Sequence, residues 1–392
     1  MPEKKTIIFY VSNTGGLEGG ASSSLYLLLK NINKKVMRPV VICPSPGSFT
    51  EKLSEIDIEW KIASLPTLSK GSSPTRIDFL KKWTKYGVGI IKLVYWLKRY
   101  RADIVHTNTI FPVGGALAAK LLGLPHIWQV REILSAPYYR FVLPRDNIRK
   151  LIRRLSHKVI CISRTVEKDF VLDPSDSKTV VIYNALEMDS FDTIRKEPGK
   201  NSIVIGTVGN IRELKRQHLI PELVQGMTSR SRDLAFEWHI YGRVSGGSEK
   251  YFDDLIEKIK KMGLESYCFY KGFCEKEEIY SRLDIMVHTG AYEAFGRTFI
   301  EAMAAGIPVV AFDSGAVTET VINGETGFII EDGDSTGMMN MVTRLVEDRE
   351  LRKRIGLKGK SHVANRFQHR RYVNQILEVY ESVLTTLEVT QE

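Results

Sequence analysis

The chain has 392 residues, which favours two or three domains at a typical ~150 residues each. Its composition, 43% hydrophobic and 26% charged, is ordinary for a globular protein and excludes a disordered or collagen-like chain. The formal charge of +10 is unevenly placed, because residues 1–195 hold 30 basic and 17 acidic residues. The first half is therefore the candidate for contact with an anionic surface.

The chain shows no signal for membrane insertion or secretion. No run approaches 18 apolar residues, and the N-terminal segment lacks the apolar core of a signal peptide. We therefore expect a cytoplasmic protein. Its cysteines, Cys43, Cys161, Cys268 and Cys274, form no CxxC pair, and three lie in strand-like runs, which predicts reduced thiols and neither disulfides nor a zinc site.

Short apolar runs alternate with longer helical patterns along the chain. Val- and Ile-rich runs are typical of parallel strands that are covered on both faces, and the alternation predicts βαβ units in doubly wound sheets. Strands are predicted at 6–12, 39–45, 103–108, 125–131, 158–163, 179–183, 203–209, 236–242, 268–273, 284–289, 308–313 and 326–331. Helices are predicted at 21–35, 213–227, 249–263, 297–305, 335–348 and 367–388. Twelve strands are too many for one such sheet, so we expect two sheets of six, divided at 190–202.

The stretch from Glu293 to Gly327 carries the strongest chemical signal. Gly296 allows a tight entry into a helix that Gly306 closes. The first N–H groups of a helix lack internal partners, and the helix dipole is positive there, so a phosphate site is predicted at this edge of a parallel sheet. Glu301 lies among apolar residues and needs hydrogen-bond donors, which a ribose diol would supply. Taken by their spacing alone, Glu293 and Glu301 can also be two solvated carboxylates.

This stretch resembles the C-terminal signature of the family 4 retaining glycosyltransferases, which have the two-Rossmann GT-B architecture. Glu293 and Glu301 meet the pattern E-x7-E, and EAMAAGIPVVA and then GAVTETV, with Glu319, follow them. Similar segments extend over nearly the whole chain: GGASSSL (19–25), DIVHTNT (103–109), VICIS (159–163), VVIYNALE (180–187), IGTVGNIRELKRQ (205–217), HIYG (239–242) and YKGF (270–273).

The resemblance implies an α/β fold of two Rossmann-like domains facing a central donor cleft. Residues 1–195 would form the acceptor domain and residues 196–366 the donor domain, with helix 367–388 crossing back onto the first. The implied reaction moves a sugar from a nucleotide-sugar to a glycan or lipid-linked acceptor with retention, in polysaccharide or glycolipid biosynthesis. No cofactor, no metal and no nucleic acid are expected.

The resemblance also implies roles for single residues. Lys215 matches the family's diphosphate lysine, Glu293 would contact the donor sugar, and Glu301 would hold the ribose. The other implied diphosphate contacts are Gly19, Gly20, Asn210, Arg212, Gly296, Arg297 and Thr298, and the other nucleoside contacts are Gly272 and Phe273. A positive charge beside the departing diphosphate lowers the barrier, so Lys215 and the helix start make a metal unnecessary. Asp332-Gly-Asp334 formally fits DxD but follows the last strand, and we read it as a loop before a helix.

Two positions depart from the family pattern. Asn210 stands where the family usually has an arginine, and either Arg212 substitutes for it or Asn210 donates neutral hydrogen bonds. Arg131 stands where many members place a histidine that faces the transferred sugar, so it is a candidate catalytic residue. An ion pair between Arg131 and Glu132 is an equally good reading. His106 and His288 are interpreted as packing residues, and His126, near the start of its strand, as a core or surface histidine.

Other activities fit the same chain features less well. A phosphorylase or a sugar-nucleotide epimerase would share the fold, but no pyridoxal-lysine signature is evident. A non-catalytic binder of an anionic polymer would use the basic first half, but no nucleic-acid-binding signature is visible.

Residues 76–101 hold 8 basic residues and 1 acidic residue. On a helix through 80–99, Lys81, Lys85, Lys92 and Arg99 lie within about 40° of one another, bordered by Val88, Tyr95 and Trp96. The opposite face, assigned to the core, is Leu80, Trp83, Ile90, Val94 and Leu97. The stripe is open to two interpretations. It is either a solvated face, on a helix that Gly87 and Gly89 can break, or a surface that binds the anionic inner face of the cell membrane.

Overall fold

The computed structural model describes residues 5–17, 19–70, 76–173, 175–194, 202–230 and 234–391, without the side chains of 76–83 and 387–391. The chain divides into two compact units, Met1–Ala185 with His369–Glu392, and Leu186–Gln368. The domain boundary expected at 195/196 falls in 195–201, which lies outside the described residues. Each unit is a parallel α/β sheet covered by helices, the class that the alternating pattern predicts.

The first unit is built on seven parallel strands in the order β3-β2-β1-β4-β5-β6-β7. They are β1 (Thr6–Val11), β2 (Met37–Cys43), β3 (Glu59–Ile62), β4 (Ile104–Thr107), β5 (His126–Val130), β6 (Lys158–Cys161) and β7 (Thr179–Val181). The helices between them are α1 (Gly20–Asn31), α2 (Ser48–Glu55), α3 (Arg76–Tyr100), α4 (Gly114–Leu122), α5 (Arg145–Leu155) and α6 (Arg164–Phe170). The expected count of six strands is wrong here. The apolar pattern does not predict strand β3, because this strand lies at the sheet edge, where its residues are only half-buried.

The second unit is built on six parallel strands in the order β10-β9-β8-β11-β12-β13. They are β8 (Ile203–Val208), β9 (Phe236–Tyr241), β10 (Cys268–Gly272), β11 (Ile285–His288), β12 (Val309–Phe312) and β13 (Gly327–Ile330). Its helices are α7 (Asp189–Asp192), α8 (Ile220–Arg230), α9 (Glu249–Lys261), α10 (Lys276–Arg282), α11 (Arg297–Ala304), α12 (Val317–Thr320), α13 (Ser335–Glu347) and α14 (Arg349–Arg366). All six strands lie within about two residues of the predicted runs.

The start of the first long helix of the second unit differs from its predicted position. The pattern predicts a helix over 213–227, but α8 begins at Ile220, and two 3-10 turns occupy 213–219. The backbone carbonyls of Leu214 and Lys215 accept hydrogen bonds from the Ala291 amide (3.0 Å) and the Thr289 hydroxyl (2.8 Å). Because the loop after β11 takes these carbonyls, they do not enter an α-helical ladder, and Lys215 is held in a turn at the sheet edge.

The last helix of the chain, α15 (His369–Gln391), packs into the first unit. Its buried residues Tyr372, Ile376 and Tyr380 join the core on the α1 side of the sheet. The Tyr380 hydroxyl donates to the Tyr10 hydroxyl (3.1 Å) and lies 2.7 Å from Nδ1 of His106. A buried polar network therefore fixes the chain terminus to β1 and β4.

Helix α3 runs without a break through Gly87 and Gly89. A Cβ on Gly89 would lie 1.9 Å from the Ser64 carbonyl oxygen, so glycine here lets the helix approach the segment after β3. Leu97 is buried, and Ile90 and Val94 pack against the core, as their assignment to the core face requires. Trp96 is half-buried and also packs there, as a residue at the border of the charged stripe can do. The side chains of Leu80, Lys81 and Trp83 lie outside the described residues.

The four cysteines are free thiols; Cys43, Cys161 and Cys268 are buried and Cys274 is half-buried. Burial raises the pKa of Cys43 and Cys268 to about 12, which keeps these thiols protonated and unreactive. Among the described residues, no helix is long and apolar enough to cross a membrane.

Candidate active site

The second unit places its polar residues where the strand order reverses. Strands β8 and β11 are neighbours in the sheet, while the chain continues from β8 to β9 on the other side. In open parallel sheets, ligands bind outside the carboxyl ends of the strands at such a point. Lys215 lies in the segment that follows β8, and Glu293 lies in the loop that follows β11, so the fold brings these two predicted residues together.

Lys215 and Glu293 form an ion pair. Nζ of Lys215 donates to Oε2 of Glu293 at 2.7 Å, with both side chains more than four-fifths buried. Burial alone would raise the pKa of Glu293, but the Lys215 charge and the Gly296 amide outweigh it and lower that pKa to about 2. Glu293 is therefore a fixed anion at any working pH and is unsuited to proton transfer.

His288 belongs to the same cluster. Its Nε2 lies 3.5 Å from Oε2 of Glu293, and its ring packs edge-on against Phe299. Burial, with the nearby Lys215 charge, lowers the pKa of His288 to about 3, so the imidazole is neutral. The sequence-based reading of His288 as a packing residue missed this contact with Glu293. Its place as the last residue of a strand beside the reversal point is the signal that could have found it.

Gly296 starts α11 in a left-handed conformation. Its φ is 85°, and a Cβ at this position would lie 2.2 Å from the Phe299 ring, so only glycine fits. The Gly296 amide donates to Oε1 of Glu293 at 3.0 Å. The amides of Arg297 and Thr298 come before the first intrahelical bond, which Phe299 makes to the Gly296 carbonyl. These amides provide the positive helix end that a diphosphate needs.

Glu301 is buried on α11 and already holds three donors. Its Oε1 accepts from Nζ of Lys276 and from Nε of Arg297 (3.0 Å), and its Oε2 accepts from the Tyr280 hydroxyl (3.0 Å). Burial would raise the pKa of Glu301, but the charges of Lys276 and Arg297 lower it. A carboxylate accepts about four hydrogen bonds, so room for a further donor remains on Oε2.

The other predicted residues of this unit lie around the same sheet edge. Asn210 is exposed, and the Arg212 carbonyl accepts the Lys215 amide at 2.9 Å. Gly272 ends β10, and the next residue, Phe273, is exposed. The Arg243 guanidinium carbon lies over the Phe273 ring, 4.3 Å from the ring centre. Asn210 and Arg212 both lie in the segment between β8 and Lys215.

The two aspartates of the DxD-like tripeptide have structural partners. Asp332 pairs with Arg216, and Oδ1 of Asp334 accepts the Gly337 amide at 2.8 Å as the cap of α13. These contacts agree with the reading of a loop before a helix.

In the first unit, Arg131 follows β5 and is almost completely buried. Its guanidinium donates to Asn108 (3.0 Å to the backbone oxygen), to Asn184 (2.7 Å) and to Gln129 (2.8 Å). These oxygens satisfy hydrogen bonds of the buried guanidinium, whose charge also acts on the neighbouring Glu132 carboxyl. Gly19 and Gly20 lie at the start of α1, after β1, at the same edge of this sheet.

Glu132 is held by backbone amides. Its Oε2 accepts from the amides of Ile110 (3.2 Å) and Arg131 (3.0 Å), which ties the loop after β4 to the end of β5. Burial raises the pKa of Glu132 from 4.5 to about 7, although both amides and the Arg131 charge oppose the rise. His106 and His126, also buried here, have pKa values of about 3 because of burial, as expected for packing residues.

The raised pKa of Glu132 predicts a pH-dependent stability. Between pH 4.5 and 7 the folded protein keeps a proton that the unfolded chain has released, so stability falls as pH rises through this window. A shift of this size corresponds to about 3 kcal/mol. The variant Glu132→Gln keeps both acceptor bonds but cannot titrate. We expect its unfolding free energy, measured by urea titration, to exceed that of the unaltered protein increasingly from pH 4.5 to 7. A constant difference would contradict the shift.

Family models match both halves of the chain. Residues 18–190 match the model described as "Glycosyltransferase Family 4", and residues 190–362 match "Glycosyl transferases group 1". N-acetyl-alpha-D-glucosaminyl L-malate synthase of Bacillus anthracis is 26% identical over 75% of this chain and 78% of its own. Lipopolysaccharide core biosynthesis mannosyltransferase LpsB of Rhizobium meliloti is 30% identical over 46% of this chain and 52% of its own.

Solved structures support the fold. Anabaena Alr3699/HepE, crystallised with UDP-glucose, superimposes with a TM-score of 0.80 at 22% identity, over 96% of this chain and 99% of its own. Staphylococcus aureus TarM superimposes with a TM-score of 0.72 at 14% identity, over 97% and 99% of the two chains. The expected fold of two Rossmann-like domains is confirmed.

Proposed function

Because this chain belongs to the group 1 and family 4 glycosyltransferases, we propose that its second unit binds a nucleoside-diphosphate sugar and that the enzyme transfers this sugar to a glycan or lipid-linked acceptor. We further propose that transfer proceeds with retention and without a metal. The name of the Rhizobium meliloti relative, a lipopolysaccharide core biosynthesis mannosyltransferase, favours a place in polysaccharide or glycolipid biosynthesis.

The observation that carries this proposal is the Lys215–Glu293 pair beside the start of α11. Negative charge grows on the diphosphate as the sugar bond breaks, and fixed positive groups aimed at it lower the barrier. Lys215 supplies a full charge, and the amides at the start of α11 supply partial charges. Glu293 holds Lys215 in place and presents a permanent carboxylate to the sugar, whereas Glu301 offers its free acceptor position to the ribose.

The proposals of metal independence and retention rest on the same chemistry. The positive groups named above can do the work that a divalent ion does for other diphosphate leaving groups. Glu293 has a pKa of about 2 and is bound to Lys215, so it is a poor proton acceptor for an incoming hydroxyl. Arg131 is the corresponding candidate of the first unit, because it is a buried cation at the carboxyl end of β5 that is held by Asn108, Asn184 and Gln129.

A donor panel tests the proposed function. The protein is incubated with nucleotide-sugars and a set of acceptor glycosides, with and without EDTA, and the release of nucleoside diphosphate is measured. We expect one donor to release its nucleoside diphosphate, at a rate that EDTA does not change. We also expect NMR of the product to show that the transferred sugar keeps the anomeric configuration it had in the donor. Phosphate-dependent sugar release would instead indicate a phosphorylase, and binding without turnover would indicate a binder.

We also propose peripheral contact with an anionic membrane through α3. Among its described side chains, Val88, Ile91 and Tyr95 are exposed, with Ile91 at 70%, and they recur at helical spacing. Exposed Lys92 and Arg99 accompany them. Large exposed apolar side chains beside cations are typical of a helix lying in a membrane interface, where each cation adds about 1 kcal/mol.

Vesicle binding tests this surface. We expect the protein to co-sediment with vesicles rich in phosphatidylglycerol at low salt and to be released by high salt. The variant Ile91→Ser with Lys92→Glu and Arg99→Glu should lose binding. A control with Lys120→Glu and Lys250→Glu, two exposed lysines outside α3, should bind as before. If the unaltered protein stays in the supernatant at low salt, the membrane proposal is wrong.

A further inference from the structure

A row of polar side chains lies under α15, on a largely apolar face of the first sheet. Tyr10 on β1 is in register with His106 on β4, and His106 is in register with Ile127 on β5. Successive residues of a strand point to opposite faces, so Gln129, two residues after Ile127, lies on the face of His106 and diagonally next to it. Tyr10 and Ile127 belong to the core that α15 covers. The row of Tyr10, His106 and Gln129 therefore lies between the sheet and the last helix.

Both ends of this row are hydrogen-bonded. At one end, the Tyr380 hydroxyl of α15 lies 2.7 Å from Nδ1 of His106 and donates to the Tyr10 hydroxyl at 3.1 Å. At the other end, the Arg131 guanidinium donates to Oε1 of Gln129 at 2.8 Å. All five side chains are buried, so bulk water does not replace these partners, and each contact depends on its neighbour in the row.

The middle contact of the row joins His106 to Gln129. Nε2 of His106 and Nε2 of Gln129 are both buried, and neither has a partner of standard hydrogen-bond geometry in the described part of the chain. The two side chains nevertheless act on each other: burial lowers the pKa of His106 to about 3, and a hydrogen bond with Gln129 opposes this shift. An amide nitrogen donates and an unprotonated imidazole nitrogen accepts, so each atom supplies what the other lacks.

The hydrogen bonds of the row run in one direction. Because Arg131 donates to the Gln129 oxygen, the Gln129 amide nitrogen is the atom left to donate to Nε2 of His106. A neutral imidazole that accepts at Nε2 carries its proton on Nδ1 and donates it to the Tyr380 oxygen, while the Tyr380 proton goes to Tyr10. With the proton on Nε2 instead, two donors would oppose each other. The Gln129 oxygen would then turn towards His106 and away from Arg131.

We propose that Tyr380 is a positioning residue for Arg131. The Tyr380 hydroxyl fixes the proton of His106 on Nδ1, His106 orients the Gln129 amide, and the Gln129 oxygen holds the guanidinium. The last helix of the chain thereby sets the position of a cation that lies at the carboxyl end of β5. This inference rests on the proposed function, since Arg131 is there the candidate of the first unit for contact with the reacting groups.

The position of the His106 proton is the first test. Nitrogen NMR of the full chain labelled at histidine distinguishes protonated from unprotonated ring nitrogens, and His106→Gln identifies the His106 signals. We expect Nδ1–H in the unaltered protein. In Tyr380→Phe the proton should move to Nε2, because Nδ1–H would have no acceptor whereas Nε2–H can donate to the Gln129 oxygen. Protonation of Nε2 in the unaltered protein, or an unchanged tautomer in Tyr380→Phe, would overturn the proposal.

The transfer rate is the second test. We expect Tyr380→Phe to lower kcat by about tenfold, with KM for the donor within about twofold, because a displaced cation is lost mainly from the transition state. The matched control is Tyr372→Phe, on the same helix, which removes a buried hydroxyl that has no hydrogen-bond partner among the described residues. The control should leave the tautomer and kcat unchanged. A lower melting temperature in Tyr380→Phe with an unchanged kcat would show that Tyr380 only supports packing, and would overturn its positioning role.

A second variant shows whether Tyr380 acts through the row. Gln129→Met keeps a similar volume but breaks the link to Arg131, so it should lower kcat at least as much as Tyr380→Phe. The double variant should be no slower than Gln129→Met alone, and additive losses would overturn the proposal. A full rate in Arg131→Ala would overturn it as well. Failure of the proposed function would appear separately, as no release of nucleoside diphosphate by the unaltered protein, while the tautomer would still show whether Tyr380 orients His106.

Discussion

Replacing Lys215 by alanine should lower kcat by about 100-fold to 1000-fold, with a smaller change in the KM for the donor. The reason is that the diphosphate charge next to Lys215 grows as the transition state forms, so the lost interaction is mainly a transition-state one. The same change leaves Glu293 as a buried carboxylate without its 2.7 Å partner. Breaking a buried pair costs about 3 kcal/mol or more, so the melting temperature should fall as well.

A double variant separates these two effects. In Lys215→Ala with Glu293→Gln, no buried charge is left unpaired, so we expect most of the lost stability to return. The rate should not return, because the positive charge at the diphosphate is still missing. Glu293→Gln alone should spare nucleoside-diphosphate binding, measured by calorimetry, and impair transfer. If the double variant recovered the rate, Lys215 would serve only to neutralise Glu293, and the leaving-group role would be disproved.

The sheets could be predicted from the sequence because parallel strands buried on both faces are mostly apolar, and β12 is entirely so. Strand β3 could not, since an edge strand with Glu59 and Lys61 has a mixed pattern. The start of α8 could not be predicted from the sequence either. It depends on hydrogen bonds from Thr289 and Ala291, about 75 residues away, and local propensity contains no such information.

The sequence named single residues of the candidate site but not the partners that the structure gives them. The E-x7-E pattern and Lys215 were found from the sequence, and the structure brings Lys215 and Glu293 into contact. The donors on Glu301 were not foreseen, because Lys276 and Tyr280 lie on α10, and only the packing of α10 on α11 brings them near. The Arg131 contacts were missed in the same way, since Asn108 and Asn184 follow two other strands.

Replacing Glu301 by alanine should weaken binding of the nucleoside diphosphate by about 1.5–3 kcal/mol, the range for a hydrogen bond to a charged acceptor. The structure adds a complication, because Glu301 also accepts from the buried Tyr280 hydroxyl. A loss of affinity in Glu301→Ala could then arise from local unfolding of α11 and not from the missing ribose contact.

Tyr280→Phe is the matched control for that ambiguity. It removes the hydroxyl that occupies Oε2 of Glu301 and keeps the ring and the carboxylate. We expect its melting temperature to fall, since a buried hydrogen bond is lost, while nucleotide affinity stays within about twofold or improves because an acceptor position becomes free. Calorimetric titration of both variants with UDP and GDP gives the comparison. If Tyr280→Phe weakened binding as much as Glu301→Ala, Glu301 would act by supporting the helix, and the ribose contact would have to be sought elsewhere.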